Sequence, residues 1–244
     1  MKICFCLLVP IAAFAADPGA AQQLSNGKLT PLERATACFE LRGDADPEVI
    51  NALSRAMEDP DLLSCAANNL QRVGAIEPLK QALSSQNAQV RAAAARELGA
   101  FQKPELLEAL GQAAQDENTL VAVNALSGLS RYQDAAVIPY LVTLARKGGM
   151  TGDMALDRLW ELDHDVALKV ARDLLSSTQV PDLVYAMRII GVSGDSSDLP
   201  QLKKIAAANR ETLTQRDRGF GFMPAINLSR AAQSAIAAIQ LRLK

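Results

Sequence analysis

The chain has 244 residues, a formal net charge of −2, 49% hydrophobic residues and only 4% aromatics. That length can bury a substantial core, and a near-balanced charge disfavours a nucleic-acid partner, which calls for a basic excess against phosphate. A core rich in Ala, Leu, Val and Ile and poor in rings points to closely spaced helices, since small side chains let helix axes approach and Ala and Leu form helix well; the runs that strands favour are nearly absent.

Residues 1–15 read as an export signal peptide. Lys2 supplies a positive start, Ile3 to Phe14 an uncharged, mostly apolar stretch, and Ala13-Phe14-Ala15 a small-x-small cleavage site. The apolar stretch is too short to span a bilayer comfortably; the alternative is an inserted anchor. Cys4 and Cys6 lie inside it and no Cys stands at the cut, which speaks against a lipid-anchored form. Residues 16–29 read as a flexible polar linker.

From residue 30 to 208 the chain alternates between helical patterns and short breaks. Thr30-Pro31, Asp46-Pro47 and Asp59-Pro60 each set an N-cap residue before a Pro at the first helical position. The side-chain oxygen accepts from orphan N–H groups, and Pro loses nothing where its missing N–H had no partner. Gly43, Gly74, Gly99 and Gly148 follow periodic segments, as left-handed C-caps would.

The segments repeat. Val90, Ala94 and Leu98 share a spacing with Val121, Ala125 and Leu129, each set lying on one helix face. Related segments end at Leu41, Val73, Leu162 and Ile190, so the six anchors are 32, 25, 31, 33 and 28 residues apart, room for two helices and a turn. A second helix follows each anchor, over about 47–57, 76–84, 104–115, 135–147, 164–176 and 197–208, each with apolar residues at helical spacing. One such pair cannot bury its apolar face alone, whereas stacked pairs can. Residues 209–224 break the pattern as an irregular loop carrying Arg216, Arg218, Phe220 and Phe222, and 225–244 reads as a C-terminal capping helix.

The segment Val90-Arg91…Ala94…Leu98-Gly99, followed by Pro104, Leu107 and Leu110, resembles HEAT repeats, in particular the short bacterial kind found in phycobilisome lyases. The resemblance covers about residues 30–208 and is strongest at 87–146. It implies an all-α fold, a right-handed α-α superhelix of about six helical hairpins plus the capping helix, with first helices on the convex side and second helices on the concave side. It also implies protein binding as the usual role. Two catalytic relatives fit poorly. Bilin lyases act inside photosynthetic cells, against an export signal. Deoxyhypusine hydroxylase holds two irons through repeated His-Glu motifs, whereas this chain has one His, and Asp165 follows His164.

Little else in the sequence carries chemistry. His164 between Asp163 and Asp165 reads as a helix start rather than a metal or acid–base site, since no second His or Cys lies near it in sequence. No Gly-x-Ser-x-Gly elbow or phosphate-cradling loop is present, and Ser127-Gly128 and Ser193-Gly194 look like helix ends. Glu97, Glu105, Glu108, Asp116 and Glu117 are either a face for a basic partner or a solvated surface. Trp160, Tyr132 and Tyr185 read first as packing residues. Cys38 and Cys65 are either a disulfide, which an exported protein can keep, or two small buried hydrophobes.

The expectation is an exported, non-catalytic scaffold, without metal or cofactor, for a protein or peptide partner, with neither nucleic acid nor stable membrane insertion after signal cleavage. Its candidate contacts are Glu77, Lys80, Gln81, Glu108, Gln112 and Tyr140 on second helices, plus Arg216, Arg218, Phe220 and Phe222 in the loop. The rivals are a lyase-like enzyme and a structural accessory subunit of a cell-envelope complex.

Overall fold

A computed structural model of the chain describes residues 18–208 and 227–244. Residues 1–15, read as a signal peptide, and residues 209–224, read as an irregular loop, lie outside the described residues. Every regular element within them is helical, and the chain divides into two compact units, Met1–Glu97 and Leu98–Lys244.

The first unit contains α1 (Pro18–Gln23), α2 (Pro31–Glu40), α3 (Pro47–Ala56), α4 (Leu63–Arg72), α5 (Ile76–Ala82) and most of α6 (Ala88–Phe101). Local chemistry sets these boundaries. The Thr30 hydroxyl accepts from the Glu33 N–H while the Glu33 carboxylate accepts from the Thr30 N–H at 2.8 Å, a closed capping box that holds the Glu33 carboxyl below its usual range. Asp46 caps α3 through the Glu48 N–H at 2.8 Å. Asp59-Pro60 does not start a helix. The Asp59 carboxylate is spent on the Asp61 N–H and on Arg34, which lowers its pKa, and α4 begins only at Leu63. Within this unit α2 packs on α4, and α1 and α5 both pack on α3. The stretch 16–29 is therefore not all linker. Ala20 and Leu24 are buried, so the short α1 gains from neighbours what six residues cannot supply alone.

The second unit takes the end of α6, then a 3₁₀ turn (Pro104–Leu106) into α7 (Leu107–Ala113), α8 (Thr119–Leu129), a 3₁₀ turn (Ala135–Val137) into α9 (Ile138–Lys147), α10 (Gly149–Leu162), α11 (His164–Leu174) and α12 (Val180–Ser193). A third 3₁₀ turn (Ser196–Asp198) enters α13 (Leu199–Ala207), and α14 (Leu228–Arg242) ends the unit. Asn118, Asp134, Asp163, Asp195 and Asn227 each accept a backbone N–H at an element start. The helices form two layers: α8, α10, α12 and α14 pack in succession in one, and α7, α9 and α11 in the other, with α13 against α14. Buried Val121, Ala125 and Leu129, Leu141 and Leu144, Leu156 and Leu159, Val170 and Leu174 fill the space between layers. Each such Leu contributes about 1.5–3 kcal/mol through burial. On α14 the buried stripe is Leu228, Ala232, Ala235 and Ile239, whereas Leu243 is exposed.

Gly43, Gly74 and Gly148 end helices with φ of 85°, 73° and 73°. Gly99 does not, because it lies inside α6. A Cβ on Gly99 would stand 2.4 Å from the Gly128 Cα, and one on Gly128 would stand 2.9 Å from the Gly99 Cα. The two glycines let the end of α6 and the end of α8 meet main chain to main chain.

Candidate protein-binding surface

Glu77 and Lys80 lie three residues apart on α5 and form an ion pair of 3.1 Å, with Glu77 and Gln81 exposed. In the second unit, Glu108 and Gln112 are both exposed one turn apart on α7, and the Gln112 amide donates to the Glu108 carboxylate at 3.4 Å. Tyr140 on α9 is half-buried, with its ring against the α7 backbone; a Cβ on Gly111 would lie 2.2 Å from the Tyr140 Cδ1. The missing side chain at 111 thus seats Tyr140 beside the helix that carries Glu108 and Gln112. Arg216, Arg218, Phe220 and Phe222 lie outside the described residues.

The acids that looked clustered in sequence are mostly engaged locally. Glu97 is buried and bound by Arg96 at 2.8 Å, Glu105 lies 3.9 Å from Lys103, and Asp116 accepts from the Asn118 N–H. Tyr132 is buried and its hydroxyl donates to the Lys103 carbonyl at 2.9 Å, with burial raising its pKa. His164 stands exposed at the start of α11, where Asp163 caps the helix through the Val166 N–H at 3.0 Å and the Trp160 ring meets the imidazole edge-on at 4.1 Å. Among the described residues no group of three or more His, Cys, Asp or Glu is placed to hold a metal ion.

Cys38 on α2 and Cys65 on α4 are joined by a disulfide, with Cα atoms 6.3 Å apart. Beside it the buried Asn69 amide donates to the Cys38 carbonyl at 2.7 Å. The sequence reading passed over Asn69; its place one turn after Cys65 was the available clue.

A buried acid pair was also missed. Asp182, in the first turn of α12, accepts from the Gly149 N–H at 2.9 Å and the Ser177 hydroxyl at 2.6 Å. Asp153 on α10 is buried as well, and its pKa rises from 3.8 to about 6. Burial is the largest cause, followed by the negative charges of Asp182 and Asp157, with Arg188 acting in the opposite sense. Nearby, a pocket of about 630 Å³ lies between the 175–178 turn, Leu183, one face of α13 and Leu228.

A family model described as HEAT repeats matches residues 76–149. No curated protein sequence matches the chain. Solved structures similar to it include Escherichia coli YibA, 14% identical over 92% of each chain with a TM-score of 0.49. A designed armadillo repeat protein in complex with the peptide (KR)4 is 17% identical over 91% of this chain and 98% of that one, with a TM-score of 0.40. Human deoxyhypusine hydroxylase in complex with glycerol is 19% identical over 91% of this chain and 95% of that one, with a TM-score of 0.38. Residues 76–149 therefore match HEAT repeats, and the described residues are all-helical.

Proposed function

We propose that the protein is an exported, non-catalytic scaffold that binds a protein or peptide through the exposed faces of its second helices. The observation that carries this reading is the surface of α7 and α9 inside the matched repeats, where exposed Glu108 and Gln112 lie beside a Tyr140 ring seated on Gly111. Such a face is preformed, so little conformational freedom is lost on association. Tyr offers amphipathic contact area of the kind enriched at binding hot spots. Export is supported by the pattern of residues 1–15 and by the Cys38–Cys65 pairing, which persists in oxidising compartments. No helix among the described residues is long and apolar enough to cross a membrane.

The test is site-specific photocrosslinking in cells that make the protein. A crosslinker replacing Gln112 should give a discrete protein adduct, and one replacing the exposed Ser127 of α8 should not. Equal labelling at both sites, or labelling at neither together with a copurifying small molecule, would overturn the proposal. The double variant F220S/F222S should weaken capture while helicity by circular dichroism is unchanged; undiminished capture would remove the loop from the interface.

A further inference from the structure

The pocket of the second unit is built differently from the surface just described. One wall is a single face of α13, where Pro200, Lys204 and Ala208 recur every fourth residue with Gln201 and Ile205 beside them. The rest of the described lining comes from the turn after α11, from Leu183 and from Leu228 at the start of α14. Leu175, Leu183 and Leu228 are buried core residues that present apolar surface to the cavity. The volume of about 630 Å³ lies in the range typical of small-molecule sites.

Among the described residues Lys204 is the only charged one in the lining, and it makes no ion pair with any of them. The acids of the flanking segments are engaged elsewhere: Asp173 with Arg146, and Asp195 and Asp198 with Arg172. Of the turn's hydroxyls, Ser176 donates to the Asp173 carbonyl at 2.8 Å and Ser177 to the Asp182 carboxylate at 2.6 Å, while the exposed Thr178 offers a neutral hydroxyl and no charge. An anion set against Ser177 would face the Asp182 carboxylate behind it. An anionic group is therefore favoured only at the Lys204 side, with apolar surface left for the rest of the ligand.

We infer that this pocket binds an aliphatic monocarboxylate, its carboxylate paired with the Lys204 ammonium and its chain laid on Leu175, Leu183, Ile205 and Leu228. The site uses a face of α13 but none of the α7 and α9 residues that carry the scaffold reading, so its failure and that of the scaffold reading are read independently.

The experiment is isothermal titration of the full chain with decanoate below its micelle concentration, with acetate and decyltrimethylammonium as probes of head alone and of reversed charge. Decanoate should bind saturably with one site per chain, acetate should show no heat of binding, and decyltrimethylammonium should bind at least fivefold more weakly. K204M should weaken decanoate about three- to fivefold, the worth of one partly exposed ion pair. K203M, on the same helix but outside the lining, should leave binding unchanged. A208W, which fills the mouth from an exposed position, should abolish binding. The inference is overturned if decanoate does not saturate, if the cationic detergent binds as tightly, if K203M and K204M behave alike, or if A208W binds normally.

Discussion

Replacing Gly99 by Ala tests whether main-chain contact sets the distance between α8 and the Leu98–Phe101 end of α6, both in the second unit. The new Cβ would lie 2.4 Å from the Gly128 Cα, and ordinary contact begins at 3.4 Å, so the backbones must part by about 1 Å. A radial gap of about 0.5–1 Å forfeits roughly a quarter to a half of each dispersion contact across it, and overpacking of this kind costs about 1–3 kcal/mol. Opposing this, Ala is favoured over Gly in a helix by about 1 kcal/mol. A clash of 2.4 Å against main chain places the overpacking cost toward the upper end, about 2–3 kcal/mol, so the net expectation is a loss of about 1–2 kcal/mol, or several degrees in Tm at about 2–4 °C per kcal/mol. G128A should cost less, because its Cβ would stand 2.9 Å from the Gly99 Cα and about 0.5 Å of movement suffices. Urea unfolding followed by circular dichroism reads both as shifts of midpoint at constant slope. A G99A variant as stable as the parent, or a G128A variant costlier than G99A, would refute the reasoning.

Three further outcomes follow from the same structure. Opening the Cys38–Cys65 bridge, whose sequence separation is 27, should cost about 3.5 kcal/mol by loop entropy, measured as the difference in urea midpoint between the oxidised protein and C38S/C65S. Asp153 ionises at about 6 in the fold and near 3.8 when unfolded, so the unfolded chain holds fewer protons between those values and stability falls as pH rises from about 4 to about 6. D153N should flatten that decline and be more stable than the parent at pH 7 but not at pH 4, and a parental pH profile in D153N would contradict it. Y132F removes the hydroxyl that donates to the Lys103 carbonyl and should cost about 0.5–1.5 kcal/mol in the same urea assay, with no loss if the bond contributes nothing.

Elements specified by neighbouring residues were legible in the sequence. Thr30 and Asp46 cap the helices they precede, because an N-cap and a following Pro act within one turn. The second helices α3, α5, α7, α9, α11 and α13 fall within the spans read from apolar spacing, since one buried stripe at a helical period needs no knowledge of its neighbour. What depended on distant residues was not legible. A left-handed cap and a close approach of two backbones both call for glycine, so Gly99 looked like Gly74 until Gly128 was set against it. The α1 sequence has no apolar stripe of its own, and Ala20 and Leu24 are buried only because α2 and α3 lie alongside. Asp182 resembles any acid in a first turn, yet it binds Gly149, 33 residues away. Of the candidate surface, exposure of Glu108 and Gln112 followed from helical phase, whereas the seat of Tyr140 required Gly111 on the preceding second helix.

The 3₁₀ turns that lead into α7, α9 and α13 alter how a designer must count along these helices. A 3₁₀ segment turns about 120° per residue against about 100° in an α-helix, so three such residues advance the helical phase by about 60° more than a uniform wheel assumes. A wheel drawn from Pro104 would point Glu108 and Gln112 about 60° away from where they stand. Any grafting of recognition residues onto these faces should therefore take its angular origin at Leu107, Ile138 and Leu199, and treat the preceding turn as a separate rotation.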